Sequence, residues 1–318
     1  MSSFPMSEWM AHIASKTPLN RLSIPGTHDS LTFNVSNVYY SPVVLLPLAG
    51  PIVLERIMKF AQAQYGSANI LKQLEYGCRY IDIRIDENLK GCHGPDYFGA
   101  DCKNNLEDVM KDLKKFLTDH PREAVLMRLK NERGNVDANK VKDLVRKYGD
   151  IVWRRGVPNT NTERDNFWPL LNDVRGKVVF LDNLNGLPLY YDGYGIEYPF
   201  YENGKLKNYK VFNDPQDDYQ WPDVDKKYKE ITDNINRSVT TLMKVNHVSA
   251  TGMGSSVDEV IKGFTRKTPG EYAEKLNPRV VNFLKSKGKC VTGLLIFDYI
   301  TADIAKAVID KNEGVSVL

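Results

Sequence analysis

The chain has 318 residues, 42% of them hydrophobic and 26% charged, which is enough for a large core. Its 43 basic and 40 acidic residues leave a formal charge of +3, too slight to recruit nucleic acid and no more than mildly attractive to an anionic membrane surface. No apolar stretch reaches the roughly 20 residues of a spanning helix, and residues 1–10 lack the cationic start and apolar core of a secretory signal. The chain therefore reads as soluble, cytosolic or secreted and already trimmed, with transient membrane association; a monomer is expected, though no residue pattern fixes the oligomeric state.

Short β-branched runs alternate with helical patterns along the whole length. The first strand, Arg21–Pro25, runs into Pro25-Gly26, which turns the chain, and a polar Thr27-His28-Asp29-Ser30 follows at once. Next comes Ser41–Leu54, an apolar stretch with three prolines and a glycine that argue against a long regular helix. It reads either as a loop packed on the body or as a segment dipping into a membrane. A second strand spans Arg79–Ile85. Asp82 and Arg84 are two apart in it, so they share a face, and two such charges pointing inward need partners or a charged ligand. His93 follows on a Gly-rich loop, Cys92-His93-Gly94-Pro95.

From Asn105 to Thr118, Leu106, Val109, Met110, Leu113, Phe116 and Leu117 fall on one helical face, and Pro121 closes the segment. Strands are expected at Ala124–Leu129, followed by Lys130, and at Lys177–Leu181. Residues from Asp182 to Trp221 are rich in Gly, Asn, Tyr and Pro, as in a long functional loop region. A strand at Leu242–Val248 carries His247, read as a buried core histidine. Asn277-Pro278 reads as the cap and first turn of a helix stopped by Gly288. The last strand, Val291–Asp298, ends on a carboxylate.

This alternation, without a break in composition, predicts one α/β domain over residues 1–318, a barrel. The strands are too apolar to be half exposed, as expected beneath covering helices. In a barrel, charged residues at strand ends gather on the rim where active sites lie. His12 and His120 adjoin helical stretches and read as packing residues. The four cysteines lack CxxC spacing, which argues against a zinc cluster. Cys92 and Cys102 flank a short loop that a disulfide could close in an oxidising compartment, and four reduced thiols is the plainer reading.

Leu22-Ser-Ile-Pro-Gly-Thr-His-Asp-Ser30, Ile81-Asp-Ile-Arg84, His93-Gly-Pro95 and Asp298-Tyr-Ile300 together resemble the bacterial-type phosphatidylinositol-specific phospholipases C. Arg175-Gly-Lys-Val-Val179, Gln216-Asp-Asp-Tyr219 and Asn277-Pro278 fit in the same order, so the resemblance covers nearly the whole chain. It implies a distorted (β/α)8 TIM barrel that cleaves phosphatidylinositol to diacylglycerol and inositol 1,2-cyclic phosphate. It implies His28 as general base oriented by Asp298, and His93 coupled to Asp29 as general acid. Arg84 would stabilise the phosphate, with Asp82 and Lys130 completing the site. Asp217 and Tyr219 would meet the headgroup, Tyr219 by stacking on the ring.

At Arg84, related eukaryotic enzymes hold calcium. A guanidinium there implies no metal and no cofactor. One departure stands out: Asp182-Asn183 occupies the position of an inositol-contacting arginine. Competing readings are a barrel phosphodiesterase acting on glycerophosphodiesters or sphingomyelin, and an inositol-lipid binding module without turnover.

Overall fold

The computed structural model describes residues 4–40, 51–94, 98–155, 168–198, 200–202, 205–207, 212, 216–220, 222–238, 241–253, 262 and 266–315. Its strands, in chain order, are β1 (Ser23–Thr27), β2 (Val35–Tyr40), β3 (Tyr80–Ile85), β4 (Lys90–His93), β5 (Phe98–Asn105) and β6 (Ala124–Asn131). They continue with β7 (Lys177–Asn183), β8 (Ile196–Glu197), β9 (Phe200–Glu202), β10 (Lys205–Lys207), β11 (Val245–His247) and β12 (Gly293–Phe297).

Seven of them run parallel in the order β8-β7-β6-β3-β1-β12-β11. Parallel bridges from Phe212 to Met243 and from Gln216 to Asn246 extend the wall beyond β11, and the rings of Tyr198 and Phe212, 5.3 Å apart, face each other across the remaining gap. The fold is a distorted TIM barrel. β4, β5 and β2 form an antiparallel extension hung on β3, and β9 and β10 form a separate hairpin.

Side chains alternate along each strand, so one set fills the barrel and the other packs under the helices. Ile24, Tyr80, Leu126, Val179, Leu181, Val245, Leu294 and Ile296 make up the interior core together with Trp9 and Met10 of the N-terminal segment. The outward set divides between two clusters. Ile81, Ile83, Val125 and Met127 pack under the helices Leu106–Asp119 and Ala138–Lys147, and Leu295 and Phe297 under Val224–Asn236, Pro269–Ser286 and Ala302–Ile309. Gly26 is required by the interior packing, because a Cβ there would lie 2.7 Å from the Tyr80 ring.

The Leu106–Asp119 helix forms as its pattern predicts, with Asn105 and Asp108 closing a capping box. One expected helix start is displaced. The helix there begins at Pro269, capped by Thr268 with Glu271, and runs through Asn277-Pro278 to Ser286. Burial of Tyr272, Leu276, Val280 and Leu284 along one face carries it past the hydrogen bond that Pro278 cannot donate. His12 stacks on Phe4 and His120 caps a helix against Phe116, both as packing residues. All four cysteines are free thiols, three of them buried, so the alternative of a Cys92–Cys102 disulfide is not realised. The apolar segment 41–54 lies outside the described residues as far as Gly50; its last four residues open the helix Pro51–Ala61.

Candidate active site

At the C-terminal rim the inward alternation changes from apolar to polar. Ile24 and Gly26 on β1 lead to His28, Leu294 and Ile296 on β12 lead to Asp298, Tyr80 on β3 leads to Asp82 and Arg84, and Leu126 on β6 leads to Arg128 and Lys130. Parallel register does the assembly. Gly26 lies opposite Ile296, which brings His28 beside Asp298, and Arg84 lies opposite Lys130. Buried Gln64 locks the first pair by donating from Nε2 to the carbonyls of His28 (2.8 Å) and Phe297 (3.0 Å). Ser30 ties the turn after His28 to β3, accepting 2.8 Å from the Asp82 N–H.

A cavity of about 420 Å³ opens on this rim, and His28, Asp29, Arg84, His93, Lys130, Asp217, Tyr219 and Asp298 all line it. Asp82 is completely buried just beneath, under Arg84. Every site residue named from the sequence is thus in one place. Three other ionisable side chains share the wall without having been named as site residues: Arg128, Glu132 and His247. His247 is buried as expected, but its ring stands edge-on to His28 at 5.9 Å rather than within the apolar core.

Two imidazoles converge on one carboxylate. His93 Nε2 lies 3.1 Å and His28 Nε2 3.4 Å from the same oxygen, Oδ2 of Asp29. Asp29 holds this position in the left-handed region, φ 43°, which an Asp tolerates better than most residues. On its other side His28 Nδ1 lies 2.9 Å from Asp298 Oδ1. Its Nε2 lies 2.7 Å from Arg84 Nη2. A guanidinium only donates, so Nε2 accepts and the ring proton is on Nδ1, facing Asp298.

Arg84 is in turn held by three carboxylates. Nε reaches Asp29 Oδ1 at 2.5 Å, Nη2 reaches Asp82 Oδ2 at 3.0 Å, and Nη1 reaches Glu132 Oε1 at 3.3 Å. Glu132 also accepts 2.5 Å from Lys130. The β4–β5 hairpin brings His93 to the rim, where Ala61 O lies 3.1 Å from its Nδ1.

The charges shape one another. Burial depresses the His28 pKa, but Asp29 and Asp298 outweigh it and leave the value above 6.5. Burial lifts the Asp298 carboxyl above its usual range against the pull of His28. Burial would also raise Asp82, yet Arg84 and Arg128 hold it far below. Glu132 is likewise held low, Lys130 and Arg84 overcoming its burial. His247 is pushed down to about 4 by burial, with His28 and Arg128 adding to the effect, so it is a neutral ring. The site therefore couples an imidazole with an unprotonated Nε2 to the guanidinium bonded to it and to a second imidazole, a set suited to proton transfer about an anionic diester.

A family model described as phosphatidylinositol-specific phospholipase C, X domain, matches residues 58–183. A 1-phosphatidylinositol phosphodiesterase of Listeria monocytogenes is 31% identical over 98% of this chain and 87% of its own length. The chain belongs to the phosphatidylinositol-specific phospholipase C family. The solved phosphatidylinositol-specific phospholipase C of Listeria monocytogenes superposes with a TM-score of 0.75 at 27% identity, covering 98% of this chain and all of that one. A Staphylococcus aureus double mutant, 22% identical over 97% of each chain with a TM-score of 0.69, shares the fold.

Asp182-Asn183, singled out in the sequence, ends β7. The buried Asp182 carboxylate accepts the backbone N–H groups of Leu184, Leu189 and Tyr190, and burial lifts its pKa to about 6. It shapes the turn after β7. Asn183 accepts from Arg128.

Proposed function

We propose that the chain cleaves phosphatidylinositol to diacylglycerol and inositol 1,2-cyclic phosphate, using His28 and His93 as acid–base pair and no metal. The observation that carries this reading is the pair of imidazoles sharing Asp29 Oδ2 beside a guanidinium bonded to one of them. An arriving phosphate competes for Arg84, whose fork suits two phosphate oxygens, and frees His28 Nε2. That nitrogen takes the proton of the inositol 2-hydroxyl as the hydroxyl oxygen bonds to phosphorus. Asp298 keeps the imidazolium in place and stabilises its charge.

The bond to the glycerol oxygen then breaks, and His93, whose Nε2 lies 3.1 Å from Asp29 Oδ2, gives that oxygen a proton. Water opens the cyclic phosphate with the two roles reversed. Lys130 adds a second cation, and Asp217 and Tyr219 border the space left for the ring. Tyr219 is 44% exposed, so its face is available for stacking.

His28, Asp29 and Asp82 present ligand atoms within 4.8 Å of one another, as a metal site would. The Arg84 guanidinium lies between those two carboxylates and supplies the positive charge a cation would bring. The lipid partner implies a membrane surface. Met58 and Tyr65, 37% and 47% exposed, flank Phe60 and Ala61 of the cavity wall and form part of the face that would meet it.

Phosphorus NMR of the protein with phosphatidylinositol vesicles tests the whole reading. The expected product is the cyclic phosphate, formed equally in EDTA and absent with His28→Ala. A linear phosphate as first product, or loss of turnover in EDTA, would refute it.

A further inference from the structure

The cavity holds a cation to which the proposed chemistry assigns no task. Arg128 lies on the inward face of β6, two residues before Lys130 and opposite Asp82 in register. Its side chain is 11% exposed, and it lines the cavity. Two features fix its plane. Nε and Nη2 both donate to Oδ1 of Asn183, at 3.0 and 2.7 Å, and the guanidinium covers the Tyr198 ring at 4.4 Å. Nη1 stands 3.5 Å from Asp82 Oδ1, which is long for a hydrogen bond, and the other oxygen of Asp82 is already shared with Arg84. A guanidinium carries five N–H groups, so among the described residues both terminal nitrogens retain donors for a ligand.

We propose that Arg128 is a specificity-determining residue that donates to two adjacent ring hydroxyls of the headgroup. This rests on the phosphodiesterase reading. Arg128 sits one inward position deeper than Lys130, roughly 6–7 Å along the strand. A lipid must leave its acyl chains at the mouth, so the part that reaches this depth is the ring. Carboxylates of Asp82, below, and Asp217, on the same wall, oppose a second anionic group there and favour a neutral polyol. The adjacent wall is polar and fixed. His247 Nε2 lies 3.5 Å from the Tyr198 hydroxyl, and its Nδ1 lies 3.8 Å from Asp217 Oδ1.

The test compares two soluble phosphodiesters, one of inositol and one of cis-cyclohexane-1,2-diol, which keeps the attacking hydroxyl and the phosphate but lacks the other hydroxyls. Arg128→Met should lower kcat/KM for the inositol diester about 10- to 100-fold, the range for losing hydrogen bonds to a charged group. The loss should fall mainly in KM, with turnover of the cyclohexanediol diester unchanged. Asn183→Leu, which leaves the cation but removes its anchor, should show a smaller loss of the same kind. Equal slowing of both diesters would overturn the proposal. Calorimetric titration with free myo-inositol decides it independently of turnover: weaker binding by Arg128→Met supports the subsite and unchanged binding refutes it, even if wild-type protein cleaves neither diester.

Discussion

His28 is pulled in two directions, and its pH dependence follows from the balance. Burial favours the neutral ring, while Asp29 and Asp298 favour the cation and prevail, so half-protonation lies above pH 6.5. The base needs a free Nε2. The acidic limb of kcat/KM should therefore rise through a midpoint above 6.5, since that limb reports the free enzyme's base. Asp298→Asn removes one of the two charges that raise the value, so the limb should shift to lower pH. The plateau should fall by about 10²–10⁴-fold, because the acceptor that holds Nδ1–H is weakened. Rate profiles of the two proteins on a soluble diester measure both effects, and an unmoved limb would detach Asp298 from His28.

At this scale the sequence was most informative where two-residue spacing set charges on one face. Asp82 with Arg84 could be read directly. The same spacing joins Arg128, Lys130 and Glu132, yet only Lys130 stood out, because nothing local tells a cavity-facing charge from a solvated strand end. His247 could not be read as part of the site at all, since its companions Tyr198 and Asp217 arrive from distant segments.

Among the elements, the parallel strands were legible because burial on both faces makes them continuous apolar runs. β4 and β5 were not. Lys90–His93 and Phe98–Asn105 are polar, Gly-containing and without clear alternation; β4 joins β3 at Ile85–Gly91 and β5 pairs with β4 in turn. His93 was therefore expected on a loop, whereas it closes a strand. Gly94 is what lets the chain leave that strand. It has φ +84°, and a Cβ there would lie 2.6 Å from the Phe98 carbonyl oxygen. Gly94→Ala must displace either the residue or the hairpin, and His93 moves with it. A misplacement of about 1 Å lowers kcat on the order of 10²-fold. The His28 limb of the pH profile should stay where it is, since β1 and β12 are untouched. A shifted limb, or full activity, would show that the hairpin does not set the position of His93.

For the whole molecule, parallel strands give the barrel two unlike ends. The rim at the strand C-termini is crowded with charges that oppose one another, while the other end serves stability. There the N-terminal segment plugs the barrel with Trp9 and Met10, and Trp9 Nε1 donates 2.9 Å to Gly77 O. A single buried carboxylate organises the plug. Glu123 Oε1 accepts from the Ala11 N–H at 2.8 Å, and its Oε2 takes Nε and Nη2 of Arg79 at 2.8 and 2.7 Å. Both side chains are essentially without solvent exposure. Glu123→Ala would leave Arg79 charged, buried and unpaired, at a cost of about 3–5 kcal/mol. Thermal and urea unfolding should show that loss, while kcat well below the melting point stays near the wild-type value, because the proposed catalytic residues lie at the opposite rim. Replacing both partners with apolar residues, Arg79→Met with Glu123→Leu, should recover most of the stability, since the penalty comes from stranding one charge rather than from losing the pair. If the double variant is as unstable as Glu123→Ala, the backbone bonds that Glu123 makes to the plug carry the stability instead of the ion pair.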